Sequence, residues 1–190
     1  MKRMLIAAAL TLSACSGSPP ARFYVLTPLE LAATEPAAGE LAVGVGPVTL
    51  APHLDRPQIV TRSGNELALG DFDRWAEPLA DGIARVLAEN LAELLGSDQV
   101  WVYPWRPAAA VATQVTVEVT RCDAEDGSAV LGVRWAVFDD GRMRLARRSS
   151  YRHPAIGYPA TAAALSAALA ELSREIAEAV RQGAVRPKEP

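Results

Sequence analysis

Histidine and cysteine are scarce, with two of each in 190 residues. Cys15 and Cys122 are too few for a disulfide-dense scaffold or a Cys-rich zinc module. His53 and His153 lie a hundred residues apart and leave little for a histidine-based metal site. The apolar run Met4–Leu12 is far shorter than the ~20 residues a membrane-spanning helix needs. Positive charge is not in excess either: 19 Lys and Arg against 22 Asp and Glu give a net charge of −3. A globally basic nucleic-acid binder is thereby excluded. Aromatic residues make up only 6%, yet four of them are Trp. What is present is ordinary: 50% apolar residues, enough for one packed core, in a length that suits a single domain. No internal repeat is visible.

The N-terminus is organised as a secretory signal. Lys2 and Arg3 precede the apolar run, and Leu12-Ser13-Ala14-Cys15 resembles a bacterial lipobox, with Leu at −3, small residues at −2 and −1, and Cys at +1. By that resemblance residues 1–14 are removed and Cys15 becomes the lipidated mature N-terminus. The other reading is an ordinary signal peptide with an accidental cysteine. Loss of Lys2 and Arg3 takes the net charge from −3 to −5. Ser16 follows the cysteine, which by the enterobacterial sorting rule implies the outer membrane, with the domain facing the periplasm. Residues 15–22 form a tether, of which Ser16–Arg22 reaches at most ~25 Å. With Cys15 lipidated, Cys122 is the one remaining thiol. It is expected to be a small buried or half-buried residue, the alternative being an intermolecular disulfide.

The rest reads as a single α+β domain over residues 23–182, a mainly antiparallel sheet with two long helices packed on one face, followed by a flexible tail at 183–190. Short strands are expected at 23–26, 41–50, 58–62, 66–69 and 100–103. A helix at 75–95 carries Trp75, Leu79, Ile83, Val86, Leu87, Leu91 and Leu94 at helical spacing, with Gly96 as its stop. A second at 161–182 carries Leu165, Leu169, Leu172, Ile176 and Val180, with Gly183 as its stop. Three alternating strands span 111–151. Two-residue Asp-Gly loops are the first choice for their hairpins, but that register sets Val133 against Thr120 and Val137 against Arg144. Three-residue loops instead pair Val119 with Val133, Val117 with Trp135 and Val115 with Val137, then Trp135 with Leu145 and Val137 with Met143. Since a one-residue slip reverses every side chain, the three-residue loops are preferred.

Sites are few. Gly44-x-Gly46-Pro47 lacks the third glycine and the following helix of a dinucleotide fingerprint. No Gly-x-Ser-x-Gly elbow occurs, and Ser, His and Asp show no triad spacing. Asp71/Asp73 and Asp139-Asp140 have helix-start or turn explanations. No catalytic residue, metal or cofactor is expected. Arg142, Arg144, Arg148 and Arg152 form a basic strip along one strand, suited to lipid phosphates or an acidic partner, or simply solvated. Trp101 and Tyr103 share a strand face near Trp105, either as an interface anchor or as edge packing of the core.

Several segments resemble the ABC-type transport auxiliary lipoproteins, the PqiC-like family. They are the lipobox, Phe23-Tyr24-Val25-Leu26, Val43-Gly44-Val45-Gly46-Pro47-Val48-Thr49-Leu50, Leu54-Asp55-Arg56-Pro57-Gln58-Ile59-Val60-Thr61-Arg62 and Phe72-Asp73-Arg74-Trp75-Ala76-Glu77-Pro78-Leu79. The resemblance covers residues 22–182. It implies a non-enzymatic, periplasm-facing accessory of an MCE-type lipid transport system that holds or docks the periplasmic MCE component at the outer membrane, with homo-oligomeric rings as a further expectation. Asp55, Arg56 and Gln58 then form a turn that either presents charge to a partner or fixes the strand after it. Trp75 and Leu79 are expected in the core. The competing functions are a lipid carrier that encloses its own ligand, which needs a large apolar cavity, and an envelope hydrolase, which lacks a nucleophile constellation. Replacement of Cys15 tests the anchor: Cys15→Ala moves the protein from the membrane to the soluble fraction on fractionation, whereas retention at the membrane excludes lipidation at this residue.

Overall fold

The computed structural model describes residues 19–30 and 41–184. The signal segment, Cys15 and residues 185–190 lie outside the described residues. The elements in chain order are β1 (Arg22–Tyr24), β2 (Val43–Leu50), β3 (Gln58–Ser63), β4 (Glu66–Trp75), α1 (Leu79–Leu95), β5 (Val100–Val102), a 3₁₀ turn (Pro107–Ala109), β6 (Thr113–Glu125), β7 (Ser128–Asp139), β8 (Arg142–Pro154) and α2 (Tyr158–Ala184). The α+β expectation holds, with both helices on one face of an eight-stranded sheet. The sheet is mixed. Its two longest ladders, β6–β7 and β7–β8, are antiparallel, as is β3–β4, while β1–β4, β2–β5, β2–β6 and β3–β6 run parallel.

The centre of the sheet is β6. One edge pairs with β7 from Thr113 to Glu125. The other edge is divided, with β2 running beside Thr113–Val119 and β3 beside Ala124 and Glu125. Both run parallel to β6, so β2 and β3 follow one another along the same edge and residues 51–57 leave the sheet between them. The Ala51 N–H still bonds the Val119 carbonyl at 2.9 Å. Leu54, 1% exposed, anchors the excursion in the core. Its N–H donates to the Ala51 carbonyl, and the Arg56 N–H donates to the Leu54 carbonyl, each at 2.8 Å.

The hairpins correct the expected loops. Glu125 faces Ser128 and Asp139 faces Arg142, so both connections are two-residue turns. Asp126 and Gly127 have φ of 49° and 70°, and Asp140 and Gly141 of 49° and 77°, the positive values that type I′ turns require at both central residues. The extra residue is inside the strand instead. Thr120 is bulged between Val119↔Val133 and Arg121↔Gly132, which restores the expected pairs Val117↔Trp135 and Val115↔Val137. In the second hairpin the bulge falls on Arg144 in β8. Val137 therefore faces Leu145 rather than Met143, Trp135 faces Arg147 rather than Leu145, and Met143 faces Phe138. Met143 is thereby expelled from the apolar face and is 61% exposed.

The first helix is also shorter than expected. Trp75 is buried but belongs to β4: it pairs with Tyr24, and its N–H donates to the Pro57 carbonyl at 2.7 Å. The i, i+4 spacing of Trp75 and Leu79 imitates a helical stripe across the strand end. Pro78, which cannot donate within a helix, is the N-cap of α1. At the other end the Gly96 and Ser97 N–H groups bond the Glu93 and Ala92 carbonyls, a Schellman closure. In α2, Gly183 does not stop the helix, which continues to Ala184. A side chain at Gly183 would collide with the Arg144 guanidinium, so close approach explains this glycine.

The stripes of α1 and α2 cover Val115, Val117, Val119, Leu131, Val133, Trp135 and Val137. Cys122 joins them as a buried residue with a free thiol, and burial pushes its pKa up to about 12. This matches the expected small buried residue and makes it a poor nucleophile. The observed register predicts a contrast. Leu131→Ala costs about 2–5 kcal/mol, whereas Met143→Ala stays within about 0.5 kcal/mol, both read from urea unfolding.

Candidate functional site

The outer face of the sheet, away from the helices, is ordered by the strand register. Thr49, Glu118, Arg134 and Arg148 form one row across β2, β6, β7 and β8. Thr116, Ala136 and Ala146 form the next row, and Gln114, Phe138 and Met143 the third. Gly44 and Trp101 extend this third row towards β5. Small side chains in the middle row leave an open trough of about 460 Å³, lined among others by Thr49, Thr116, Arg134, Ala136, Ala146 and Arg148.

The aromatic end of the third row is built around Gly44. A Cβ there would lie 2.7 Å from the Trp105 ring, so a glycine is what lets Trp105 approach the strand this closely. Tyr103 meets Trp105 edge-on with ring centroids 5.5 Å apart. Trp105 is half-buried, while Trp101 and Tyr103 are 43% and 54% exposed. The group is thus part edge packing and part exposed apolar surface.

The expected arginine strip is divided among different partners. Arg144, at the bulge, is turned to an ion pair with Asp139 and packs over Gly183. Arg152 pairs with Glu125 at 3.4 Å, and Arg134 with Glu118 at 3.3 Å. Arg142 is exposed at the tip of the second hairpin. Arg148 is exposed opposite Arg134 and has no carboxylate partner among the described residues. The other candidates, Asp55, Arg56 and Gln58, lie in and just after the excursion between β2 and β3. Asp55 is exposed; Arg56 and Gln58 are half-buried. They stand on the β2–β3 side of β6, with β7 between β6 and the arginines of β8, so the structure does not gather the six residues into one site.

Asp71 and Asp73, expected at a helix start or turn, lie instead within β4, and Asp73 joins Asp123 and Glu175, which the sequence did not single out, in holding structural networks. Asp73, 3% exposed, accepts from Arg22 at 2.8 Å and from the Tyr24 hydroxyl at 2.7 Å, which fastens β1 to β4. Burial works against its charge, but the hydrogen bonds from Arg22 and Tyr24 outweigh it and hold the carboxyl below its ordinary range. Asp123 accepts from Arg62 at 3.3 Å and from Arg121 at 2.5 Å. Glu175 on α2 accepts from the Tyr151 hydroxyl at 2.6 Å and Ser149 at 2.8 Å, and from Arg147 at 3.4 Å. Burial again opposes the charge, and these bonds together keep the Glu175 carboxyl low. Apart from Arg121, their partners lie 24 or more residues away in sequence, so only the fold reveals them. Each is occupied by donors, and no group of His, Cys, Asp and Glu fit to hold a metal occurs among the described residues. No helix among them is long and apolar enough to cross a membrane.

A model of the ABC-type transport auxiliary lipoprotein component family matches residues 24–177. The chain belongs to this family. As an auxiliary lipoprotein it shares its fold with the crystal structure of an uncharacterized protein at a TM-score of 0.72 and 19% identity, over 85% of this chain and 99% of that one. It likewise resembles protein XCC0632 from Xanthomonas campestris, described as a DUF330 protein, at a TM-score of 0.67 and 19% identity, over 83% and 93% of the two chains. A structure of PelC from Paraburkholderia phytofirmans, described as a dodecamer, aligns at a TM-score of 0.46 and 15% identity over 78% and 94%, too low a likeness to bear on the assembly of this auxiliary lipoprotein. No curated protein matches the chain.

The Glu175 network makes a pH prediction. Its carboxyl is held below the ordinary 4.5, so its contribution to stability is complete above that pH and is lost as pH falls through the lowered folded value. Glu175→Gln removes this share. In denaturation series below pH 4.5 the unaltered protein loses stability more steeply than the variant.

Proposed function

We propose that the protein is a lipid-anchored, periplasm-facing accessory subunit of an ABC/MCE-type envelope lipid transport system, docking or stabilising the periplasmic MCE component at the outer membrane, and that it has no enzymatic activity. One observation carries this reading. The auxiliary-lipoprotein match begins at residue 24, just after a lipobox-like Leu12-Ser13-Ala14-Cys15. A domain joined to its anchor by so short a link stays beside the bilayer, where an accessory works and from which a shuttle must depart. Arg22, the first residue of β1, is at most ~25 Å of chain from Cys15.

Packing supports an adaptor over a carrier. A carrier needs an apolar chamber of ~300 Å³ or more. Between the helices and the sheet, the space is taken by Leu87, Leu91, Leu131, Leu169, Leu172 and Ile176, none more than 1% exposed. A hydrolase finds no support either, because Asp73, Asp123 and Glu175 are already bonded to arginine, tyrosine or serine donors. The discriminating experiment is purification of the tagged, full-length protein from membranes. The MCE subunit of the transport system is expected to come with it. Purification without an MCE protein, but with bound lipid detected by native mass spectrometry, overturns docking in favour of the carrier.

A further inference from the structure

The outer-face trough has a floor that the fold does not need. Alanine is depleted in strands, yet Ala136 and Ala146 face each other across β7 and β8, beside Thr116 of β6. Larger side chains at these positions would fill the trough with no loss to the core on the opposite face. The two walls differ in chemistry. One is the row of Arg134 and Arg148 with Glu118, which carries more positive than negative charge, because Arg134 is paired with Glu118 while Arg148 has no carboxylate partner among the described residues. The other side is bordered by the next row of the register, Gln114, Phe138 and Met143, in which Met143 is exposed; Gln114 and Gly44 separate this row from the exposed Trp101 and Tyr103 at its far end.

The dimensions select an occupant. The two walls are four residues apart along the strands, ~13 Å, close to the ~10–12 Å diameter of an α-helix with its side chains. Across β2, β6, β7 and β8 the trough runs ~14 Å, the length of ~ten helical residues. An extended peptide lying on side chains would leave its backbone groups unpaired, whereas a helix satisfies its own. A flat bilayer reaches the arginines but not the floor.

We infer that the trough seats an amphipathic helix of a protein partner, its apolar stripe over Ala136 and Ala146 and against Phe138 and Met143, its acidic flank along Arg134 and Arg148. The inference rests on the accessory-subunit reading only for the owner of the helix, the MCE component. It does not use the Asp55 excursion, which lies on the other side of β6.

Two measurements on the full-length, membrane-anchored protein test it. In the first, a photo-reactive phenylalanine analogue replaces Thr49 on the rim, and the cross-linked peptide is sequenced by mass spectrometry. A peptide from a helix with acidic residues along one flank supports the inference. Attachment only to lipid, only to another copy of this chain, or to nothing overturns it. In the second, retention of the MCE subunit is titrated. Arg148→Glu weakens it about tenfold, Arg148→Lys keeps most of it, and Ala146→Trp, which fills the floor, weakens it at least as much as Arg148→Glu. All three are expected to melt with the unaltered protein. Undiminished retention by both Arg148→Glu and Ala146→Trp overturns the trough and leaves MCE docking standing. Failure of the unaltered protein to retain any MCE subunit overturns docking, and the cross-linked peptide then decides the trough by itself.

Discussion

A strand has two edges, and β6 gives one to β7 along its whole length while dividing the other between β2 and β3. The bulge at Thr120 falls where that division occurs, just past the last pair with β2. The extra residue there lets the first half of β6 present Val115, Val117 and Val119 to the helices while the second half presents Cys122, opposite Leu131. The same division forces residues 51–57 out of the sheet and back, so the Leu54-Asp55-Arg56-Pro57-Gln58 stretch is first of all the return path of an interrupted edge, with Leu54 buried to hold it. The conformation of that stretch is accounted for without a partner.

Local regularity was legible in the sequence, and long-range pairing was not. The alternation in 113–154 marks three strands and the correct inward face for Val115 to Val137. The residues of α2 declare their stripe in the same way. What failed was the location of an extra residue: a three-residue loop and a bulge within a strand change side-chain parity alike, and only the preference of Asp-Gly for paired positive φ separates them. The parallel neighbours of β1, β2 and β3 are separated from them by tens of residues, with nothing local to announce them. The Trp75–Leu79 spacing misled because four residues are one helical turn wherever they occur.

The division of the arginines follows from the same bulges. On paper Arg142, Arg144, Arg148 and Arg152 look like one charged strip. In the fold, the bulge turns Arg144 to Asp139 and to the end of α2, and Arg152 is drawn to Glu125. The helix-facing side of β8 is polar too, with Arg147, Ser149 and Tyr151 converging on Glu175. The sheet thus closes most of its charge internally, and Arg148, without a carboxylate partner among the described residues, stands beside the small-residue floor on the outer face. A candidate site in this protein is better defined by what the register leaves uncommitted than by residue type.

The junction of β1 with β4 also has a mechanical meaning. β1 is only three residues long, but it runs parallel to β4, and Arg22 and Tyr24 both hold Asp73. Behind it the chain is fastened again, by the buried side chain of Leu26 and by bonds from the Thr27 and Leu29 amides to Ser166 of α2 and Asn90 of α1. A pull on the chain ahead of Arg22, directed along the strand, loads the ladder and both side-chain bonds in shear, so they resist together instead of opening one after another. Tension arriving there is spread into both helices and the sheet at once.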